Sequence, residues 1–383
     1  MPRYPGFSPA VAGIGGSVYS ALAHRLAGFE GETYPLHVGD TWLEPPEGCR
    51  MEDLRTADHP GLHRYTPPHG LPALVEAVAA RVAGRTGVPT APAGVLMAAG
   101  ATGALGAVAG ALLAPGDEVL ILAPYWPLIS GIVRSFHARP VPVPYLGEVD
   151  GADAAVAAVA ARRTPATVAL YLNTPNNPTG RVIPREELAA LAEWARAEGL
   201  WLLSDEVYED YCYRGEHAYL RALAPERTFS AYSFSKAYGM AGNRIGYAVG
   251  PAAAMDEVRK VSTHTFYSAP TAGQVAALRL LEGRGEPWLS ETRERYRELG
   301  EAAAARLGLD PPAGSTFLFL DVSDRFDERG LPGFLEDCVE RGLFLAPGPS
   351  FGPYPTHVRL CFTAAEPAVT MRGVEVLAGL LGR

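Results

Sequence analysis

The chain has 383 residues, of which 48% are hydrophobic and 20% are charged, a composition typical of a globular protein. This length exceeds what one small hydrophobic core requires, so it predicts more than one structural unit. Lysine and arginine number 33 against 42 aspartates and glutamates, and the resulting net charge of −9 argues against a general nucleic-acid or anionic-membrane binder.

The cysteines and the N-terminus predict a cytoplasmic protein. The four cysteines are far apart and form no Cys-x-x-Cys pair, which predicts neither a zinc cluster nor a disulfide framework. The first residues, MPRYPGFSPAVAGIGG, carry proline and glycine where a signal peptide needs a continuous apolar segment. The uncharged stretch 86–116 is long enough to span a bilayer, but its prolines and glycines instead predict a strand, a turn and a buried helix.

In the middle of the chain, short apolar runs alternate with longer segments rich in alanine, leucine and glutamate. The runs DEVLILAP, ATVALYLNT, LWLLSDE and TFSAYSF predict strands, and EELAALAEWARAEG predicts a helix between two of them. This alternation predicts a parallel sheet covered by helices. Because ligands bind at the carboxyl ends of such strands, we expect functional residues just after each strand.

The composition changes after about Leu280. An Arg- and Glu-rich helix is followed by STFLFLDV, a polar helix, GLFLAPG and HVRLCFT, an order that predicts a separate α+β unit. The first forty residues are interrupted by glycine and proline and are too short to fold alone. We therefore predict an N-terminal segment, 1–44, that docks on the small domain, a large domain, 45–280, and a small C-terminal domain, 281–383.

The segment SFSKAYGMAGNRIGY is the sharpest chemical signal, because it combines two hydroxyls, a lysine and an arginine among glycines. A loop lysine is ordinarily just solvated. Lys236, however, lies between apolar and aromatic residues, where an ammonium group is costly unless it is paired or used covalently. A desolvated lysine near other cations loses its proton readily and becomes a Schiff-base nucleophile.

Three further motifs place polar groups after predicted strands. In SDEVYEDY, Asp205 could be a helix N-cap, a partner for a protonated heterocycle nitrogen or, least favoured, a metal ligand. In NTPNNPTG, Asn177 is either a fixed amide at a strand end or part of a simple turn. In GATGAL, the free N–H groups of a helix N-terminus and the Thr102 hydroxyl could hold a phosphate.

In combination, these motifs resemble the fold-type-I pyridoxal phosphate enzymes, and within them the class I/II aminotransferases, along nearly the whole chain. The resemblance is carried by RYTPPHGLPALVEAVA, GATGAL, APYW, NTPNNPTG, SDEVYE, SFSKAYGMAGNRIGYA, STFLFLDV, APGPSFGP and HVRLCFT. It implies an α/β fold, with a mainly parallel seven-stranded sheet between helices in a large domain and a smaller α+β domain. It also implies the cofactor pyridoxal 5'-phosphate (PLP) and a homodimer with shared active sites, and we expect no nucleic-acid or membrane partner and no metal.

The resemblance also implies roles for individual residues. Lys236 would form the internal aldimine and shuttle the substrate proton, and Asp205 would keep the pyridine nitrogen protonated. Asn177 and Tyr208 would donate to the phenolate oxygen, and Trp126 would stack on the ring, although a core position is its plain alternative. The phosphate group would be held by backbone and side-chain groups of Gly100, Ala101, Thr102, Ser233, Ser235 and Arg244. 

For the substrate, the resemblance implies that Arg359 clamps the α-carboxylate, that the backbone of Gly39 approaches it, and that Asn177 and Tyr19 contribute to binding. Tyr65 matches a tyrosine that reaches the phosphate of the neighbouring subunit, although a core or surface tyrosine is its plain alternative. The chain departs from the family where Gly39 is followed by Asp-Thr-Trp-Leu instead of Glu-Pro-Asp-Phe.

Trp42, in that departure, either shapes the pocket wall or packs under the small domain. Together with Tyr19, Phe266 and Tyr267 it hints at an apolar or aromatic substrate, although bulky residues near a sheet edge are more often plain packing. We expect an aminotransferase that works by a ping-pong mechanism. The alternative on the same scaffold is a PLP-dependent lyase, cyclase or oxidase in a specialised pathway, and the motifs do not separate the two or name the substrates.

Overall fold

The computed structural model describes residues 4–15 and 23–383, which form two sheets and the helices that pack on them. Ten strands lie in this part of the chain: β1 (Val95–Ala98), β2 (Glu118–Ala123), β3 (Arg139–Pro144), β4 (Thr167–Asn173), β5 (Trp201–Asp205), β6 (Thr228–Ser233), β7 (Gly246–Val249), β8 (Phe317–Asp321), β9 (Ala346–Pro347) and β10 (His357–Cys361). The α-helices up to the end of the large sheet are α1 (Pro9–Ala12), α2 (Pro72–Thr86), α3 (Gly100–Leu112), α4 (Leu128–Ser135), α5 (Ala152–Ala160), α6 (Arg185–Ala197), α7 (Leu220–Leu223) and α8 (Phe234–Ala237). The later helices are α9 (Ala252–Thr265), α10 (Thr271–Arg279), α11 (Gly285–Arg306), α12 (Gly330–Val339) and α13 (Pro367–Leu380).

The large sheet has seven strands in the order β1-β7-β6-β5-β4-β2-β3. Only β7 runs antiparallel to its neighbours, β1 and β6, and the other pairs are parallel, so the expected mainly parallel seven-stranded sheet is confirmed. Strand β3 reads RPVPVP and lies at one edge. An edge is where a sheet tolerates proline, because proline has no N–H to donate to a neighbouring strand.

Helices cover both faces of this sheet, which explains its continuous apolar strands. Along β2, Val119 and Ile121 pack with α3, α4 and α9 on one face, whereas Leu120 and Leu122 pack with α5 and α6 on the other. All six residues of β2 are buried. The central strands are therefore fixed in place. Because they are parallel, their carboxyl ends lie together at one edge of the sheet.

The small sheet is antiparallel in the order β8-β10-β9, with α11, α12 and α13 packed beside it. The predicted strand in GLFLAPG is reduced to the two residues of β9. Between α10 and α11 the chain kinks at Gly283, which has a φ of +114°, a value that favours glycine. None of the described helices, in 4–15 or 23–383, has both the length and the apolar character needed to cross a bilayer.

The N-terminal segment contacts the C-terminal part of the chain and a helix that covers the large sheet. The Tyr34 N–H donates to the Gly342 carbonyl at 2.7 Å, and the Leu36 carbonyl accepts from Cys361 at 2.8 Å, so this stretch pairs with the C-terminal part. Helix α1, earlier in the chain, lies against α4 of the large sheet, where a Cβ on Gly13 would stand 3.1 Å from Arg134. The domain boundaries at 44 and 280 stay a prediction.

Candidate functional site

Three neighbouring parallel strands end on polar residues that face one cavity. Asn173, Asp205 and Ser233 are the last residues of β4, β5 and β6. The cavity measures about 180 Å³. Its lining residues are Gly39, Ala101, Thr102, Trp126, Leu128, Asn173, Asn177, Asp205, Val207, Tyr208, Ser233, Ser235, Lys236, Ala241 and Arg244.

Asp205 supplies a buried carboxyl group to this cavity. Its Oδ2 accepts a hydrogen bond from the Tyr171 hydroxyl at 2.8 Å, and its Oδ1 accepts from the Val207 N–H at 3.3 Å. Burial raises the pKa of Asp205 to about 7, although the two hydrogen bonds favour the charged form. A cationic partner in the cavity would therefore stabilise this carboxylate strongly.

Lys236 is held in the cavity by a short helix. The Ser233 side chain caps α8 by accepting from the Ser235 N–H at 3.0 Å, which places Lys236 in the first turn after β6. The Lys236 amine donates to the Gly39 carbonyl. Burial lowers the pKa of the Lys236 ammonium below its ordinary value, and the charges of Arg359 and Arg244 act in the same direction. Asp40 and Cys361 act in the opposite direction, but the net effect is that the charged form of this amine is less favourable than that of a lysine in water.

One end of the cavity is suited to an anion. Helix α3 begins at Gly100, so its first backbone N–H groups have no partner within the helix. A Cβ on Gly100 would stand 2.7 Å from Arg244 Nη2, and one on Gly246 would stand 2.7 Å from the Ala101 nitrogen. Gly100 therefore lets the Arg244 guanidinium approach the helix end, and Gly246 lets β7 approach it. With the hydroxyls of Thr102, Ser233 and Ser235 on the same lining, this end matches a phosphate group.

Arg359, on β10, joins the small sheet to this site. Its side chain is fully buried, and it donates to Asn177 Oδ1 at 2.9 Å and to the His37 carbonyl at 2.6 Å. The guanidinium carbon lies 4.3 Å from the centre of the Phe317 ring. The Asn177 N–H in turn donates to Asn173 Oδ1 at 2.7 Å. A buried guanidinium next to the cavity can bind a carboxylate in the bidentate manner.

The structure brings most of the predicted site residues together. Those in the cavity lining are Gly39, Ala101, Thr102, Trp126, Asn177, Asp205, Tyr208, Ser233, Ser235, Lys236 and Arg244. Gly100 and Arg359 adjoin it through Arg244 and Asn177.

The other aromatic residues of the prediction lie elsewhere. Tyr65 is 84% exposed, outside the lining, with its ring edge-on to Tyr267 at 5.0 Å. Trp42 packs on Tyr296 with 5.2 Å between ring centres, so of its two predicted roles the structure has the packing one. Tyr19 lies outside the described residues.

Sequence reasoning missed several contributors, among them the lining residues Asn173, Val207 and Ala241. Two others show what signal the sequence offered. Tyr171 lies two positions before the end of β4, where a hydroxyl inside a buried strand needs a partner; that need was the available signal. Leu128, the first residue of α4, carries no signal beyond its position after APYW.

The neighbours of Asp205 separate its alternative roles. Glu206 is turned away, where its carboxylate contacts the Ser204 hydroxyl and His217 Nε2, each at 2.6 Å. Within 4–15 and 23–383, no three or more histidine, cysteine, aspartate or glutamate side chains are grouped to hold a metal. The residues present do fit PLP, because a buried acid, a nucleophilic amine and an anion-binding end surround one cavity.

Comparison with known proteins agrees with this chemistry. The family model for aminotransferase class I and II matches residues 35–377. A probable aspartate/prephenate aminotransferase of Thermus aquaticus is 36% identical over 86% of this chain and 87% of its own length. An arginine–pyruvate transaminase of Pseudomonas aeruginosa is 35% identical over 95% of each chain. The solved aspartate aminotransferase from Thermus thermophilus with maleate superposes with a TM-score of 0.89 at 32% identity, covering 98% of this chain and 99% of that one.

A match of this length, together with a cavity that fits the cofactor, establishes the family. Members of this family are PLP-dependent enzymes. The chain belongs to the class I and II aminotransferases and is a PLP-dependent transaminase.

Proposed function

We propose that the protein transfers an amino group between an L-amino acid and a 2-oxo acid by a ping-pong mechanism, with PLP attached covalently to Lys236. The observation that carries the proposal is the presence in one cavity of an amine with a lowered pKa and a buried acid. When bound, PLP supplies an electron-withdrawing ring that stabilises the negative charge left on the substrate Cα.

The protein groups then divide the work of binding and proton transfer. Arg359 binds the substrate α-carboxylate and so fixes the direction of the Cα–H bond. Lys236, as a neutral amine, would take the proton from the substrate Cα and later release it, a role that a lowered pKa favours. Asp205, ionised, keeps a proton on the ring nitrogen, while Asn177 and Tyr208 donate to the phenolate oxygen.

The remaining proposed roles concern the grip on the cofactor. Trp126 covers the ring. The phosphate is held by Arg244 and by the start of α3, where Gly100 and Ala101 supply backbone N–H groups. The hydroxyls of Thr102, Ser233 and Ser235 complete this grip. The Gly39 carbonyl, which accepts from Lys236, holds the amine when it is not attached to the cofactor.

Absorption spectroscopy tests the proposal directly. The purified holoenzyme is mixed with single L-amino acids in the absence of a 2-oxo acid. We expect loss of the visible band and release of one equivalent of 2-oxo acid per site. Lys236→Ala removes both the covalent link and turnover, whereas Lys260→Ala, at an exposed lysine paired with Glu257, leaves both intact. Full turnover in Lys236→Ala would refute the assignment.

The named relatives are transaminases, which favours transamination over the lyase, cyclase or oxidase alternative. A long-lived coloured species or oxygen consumption, in place of stoichiometric 2-oxo acid, would reverse that preference. We also propose a cytoplasmic location, supported by four cysteines that are all buried free thiols. The domain division 1–44, 45–280 and 281–383 is likewise a proposal.

We further propose a homodimer in which Tyr65 completes the phosphate site of the neighbouring subunit. The proposal is supported by its position: Tyr65 is 84% exposed, outside the cavity of its own chain, and paired with Tyr267. Large exposed aromatic groups of this kind are typical of interfaces.

Subunit mixing tests the shared site. Random mixing of Tyr65→Ala and Lys236→Ala protomers would restore one intact site per heterodimer, about a quarter of all sites. The control mixes Lys236→Ala with Asp205→Ala, whose heterodimers contain no intact site, so no activity returns. Absence of rescue after verified subunit exchange would contradict the shared site.

A further inference from the structure

A second cavity opens directly beside the cofactor cavity. It measures about 340 Å³, and Leu128 lines both cavities. Its lining residues are Gly13, Ile14, Gly15, Tyr125, Pro127, Leu128, Ser130, Gly131, Pro349 and Ser350. Leu128, the first residue of α4, therefore lies between the two cavities.

The side chains of this lining are neutral and mostly apolar. Ile14, Pro127 and Leu128 contribute aliphatic surface, and the hydroxyl of Ser130 is already bonded to Tyr125. A space of 340 Å³ equals the liquid volume of roughly ten waters. It can therefore hold a substrate side chain much larger than a methyl group. The lining also offers the hydroxyls of Tyr125, Ser130 and Ser350, but it contains no charged side chain among its residues. A neutral lining of this kind has no group to pair with a carboxylate.

The other polar groups of the first cavity already have proposed partners. Arg359 takes the α-carboxylate, Lys236 and Asp205 act on the reacting end, and Arg244 holds the phosphate. A substrate fixed by its carboxylate and its amino group still has to place its side chain. Leu128 is the lining residue that leads from this position into a further cavity.

We propose that the cavity behind Leu128 receives the substrate side chain, and that Leu128 selects large apolar side chains, aliphatic or aromatic, over carboxylates. This inference rests on the proposed transamination and names its substrate class. A carboxylate placed against Leu128 would lose its hydration without gaining a partner, which is unfavourable, whereas an apolar group gains contact there.

One cation lies close enough to require a control. The Arg134 guanidinium lies against the backbone of Gly13, 3.1 Å from the position of a Cβ on that glycine. Arg134 is not among the residues that line the second cavity. If it bound a substrate carboxylate, the selectivity would be the reverse of the one proposed, so Arg134→Ala belongs in the test.

The experiment compares kcat/KM of the holoenzyme for L-phenylalanine, L-leucine, L-alanine and L-aspartate. We expect the wild type to prefer phenylalanine and leucine over aspartate. In Leu128→Ala, kcat/KM falls about 10-fold or more for the large apolar donors and less than about threefold for alanine, because the substitution removes three side-chain carbons and one lost methylene contact already costs about 10-fold. Leu128→Lys raises the ratio of aspartate to phenylalanine about 100-fold.

Ile132→Ala, an apolar truncation on the same helix but outside both linings, leaves the ratios unchanged. The ratios are insensitive to partial loss of folded enzyme. Preference of the wild type for aspartate, loss of aspartate turnover in Arg134→Ala, or ratios that do not move in Leu128→Lys would each overturn the inference. Failure of every donor to release a 2-oxo acid would instead refute the transamination itself.

Discussion

Replacing Tyr171 by phenylalanine removes one hydroxyl from the floor of the cofactor cavity. That hydroxyl donates to Asp205 Oδ2 at 2.8 Å, and both side chains are buried. The ring remains in place, so the packing of β4 is kept. Because the lost bond favours the charged carboxylate, the pKa of Asp205 rises above the value of about 7 that burial already causes.

The size of the effect follows from the energy of such a bond. A hydrogen bond to a charged group contributes about 1.5–3 kcal/mol, equivalent to a pKa change of about 1–2 units. At pH 7.5 the ionised fraction of Asp205 would fall from about three quarters to about one quarter or less. If ionised Asp205 holds the ring nitrogen, the affinity of the apoprotein for PLP at this pH falls about threefold or more.

Titration of the apoprotein with PLP between pH 6 and 9 measures this change. A carboxyl group with a raised pKa becomes ionised only at higher pH, so the affinity for PLP increases as the pH rises through that pKa. In Tyr171→Phe this increase in affinity occurs at a higher pH than in the wild type. The control is Tyr145→Phe, where an equally buried hydroxyl donates to Glu187 at 2.7 Å outside the cavity lining. An unchanged profile in Tyr171→Phe, or an equal change in the control, would refute the reasoning.

Two further substitutions test the ends of the site. Gly100→Ala places a Cβ 2.7 Å from Arg244 Nη2 at a φ of +72°, and should weaken PLP binding about 10-fold or more, as measured by equilibrium dialysis. The control is Gly106→Ala in the same helix, where the new Cβ meets nothing within 4 Å; this variant should stabilise the protein by about 1 kcal/mol in thermal unfolding. Wild-type affinity in Gly100→Ala would contradict the anion site. Arg359→Ala should reduce kcat/KM for amino acids roughly 30- to 5,000-fold (about 2–5 kcal/mol), mainly through KM, while Arg372→Ala, at an exposed ion pair, should change it less than about twofold. Amino-acid kinetics that stay at the wild-type level in Arg359→Ala would remove that residue from the carboxylate site.

The buried strands were predictable because each is a continuous apolar run between turn residues. The run ATVALYLNT became β4, and LWLLSDE became β5 with Asp205 as its last residue. Both strands are covered by helices on two faces, and a continuous apolar run is the sequence pattern that such burial on both faces produces. Polar residues at the ends of such runs stand out, which is why the residues of the candidate site could be named from the sequence through the family resemblance.

Features set by distant contacts were not predictable. The three prolines of β3 argue locally against a strand, and only its position at the sheet edge admits them. The antiparallel direction of β7 depends on the path of the chain after Arg244, which short-range patterns do not carry. The place of Leu128 in the lining of two cavities, and the packing of Trp42 on Tyr296, both depend on contacts between segments that are far apart in the chain.

The bonds of Arg359 also have a consequence for how the enzyme is made. The cofactor cavity is lined by residues between Gly39 and Arg244, whereas the carboxylate clamp joins Arg359 to Asn177 and His37 across 182 and 322 positions of chain. A chain growing on the ribosome therefore contains every described cofactor-lining residue more than a hundred residues before the clamp is synthesised. The cavity is nevertheless completed only with the C-terminal sheet, because the segment that carries Gly39 pairs with that sheet through Leu36 and Cys361. Both the cofactor cavity and the carboxylate clamp therefore depend on the last part of the chain to be made.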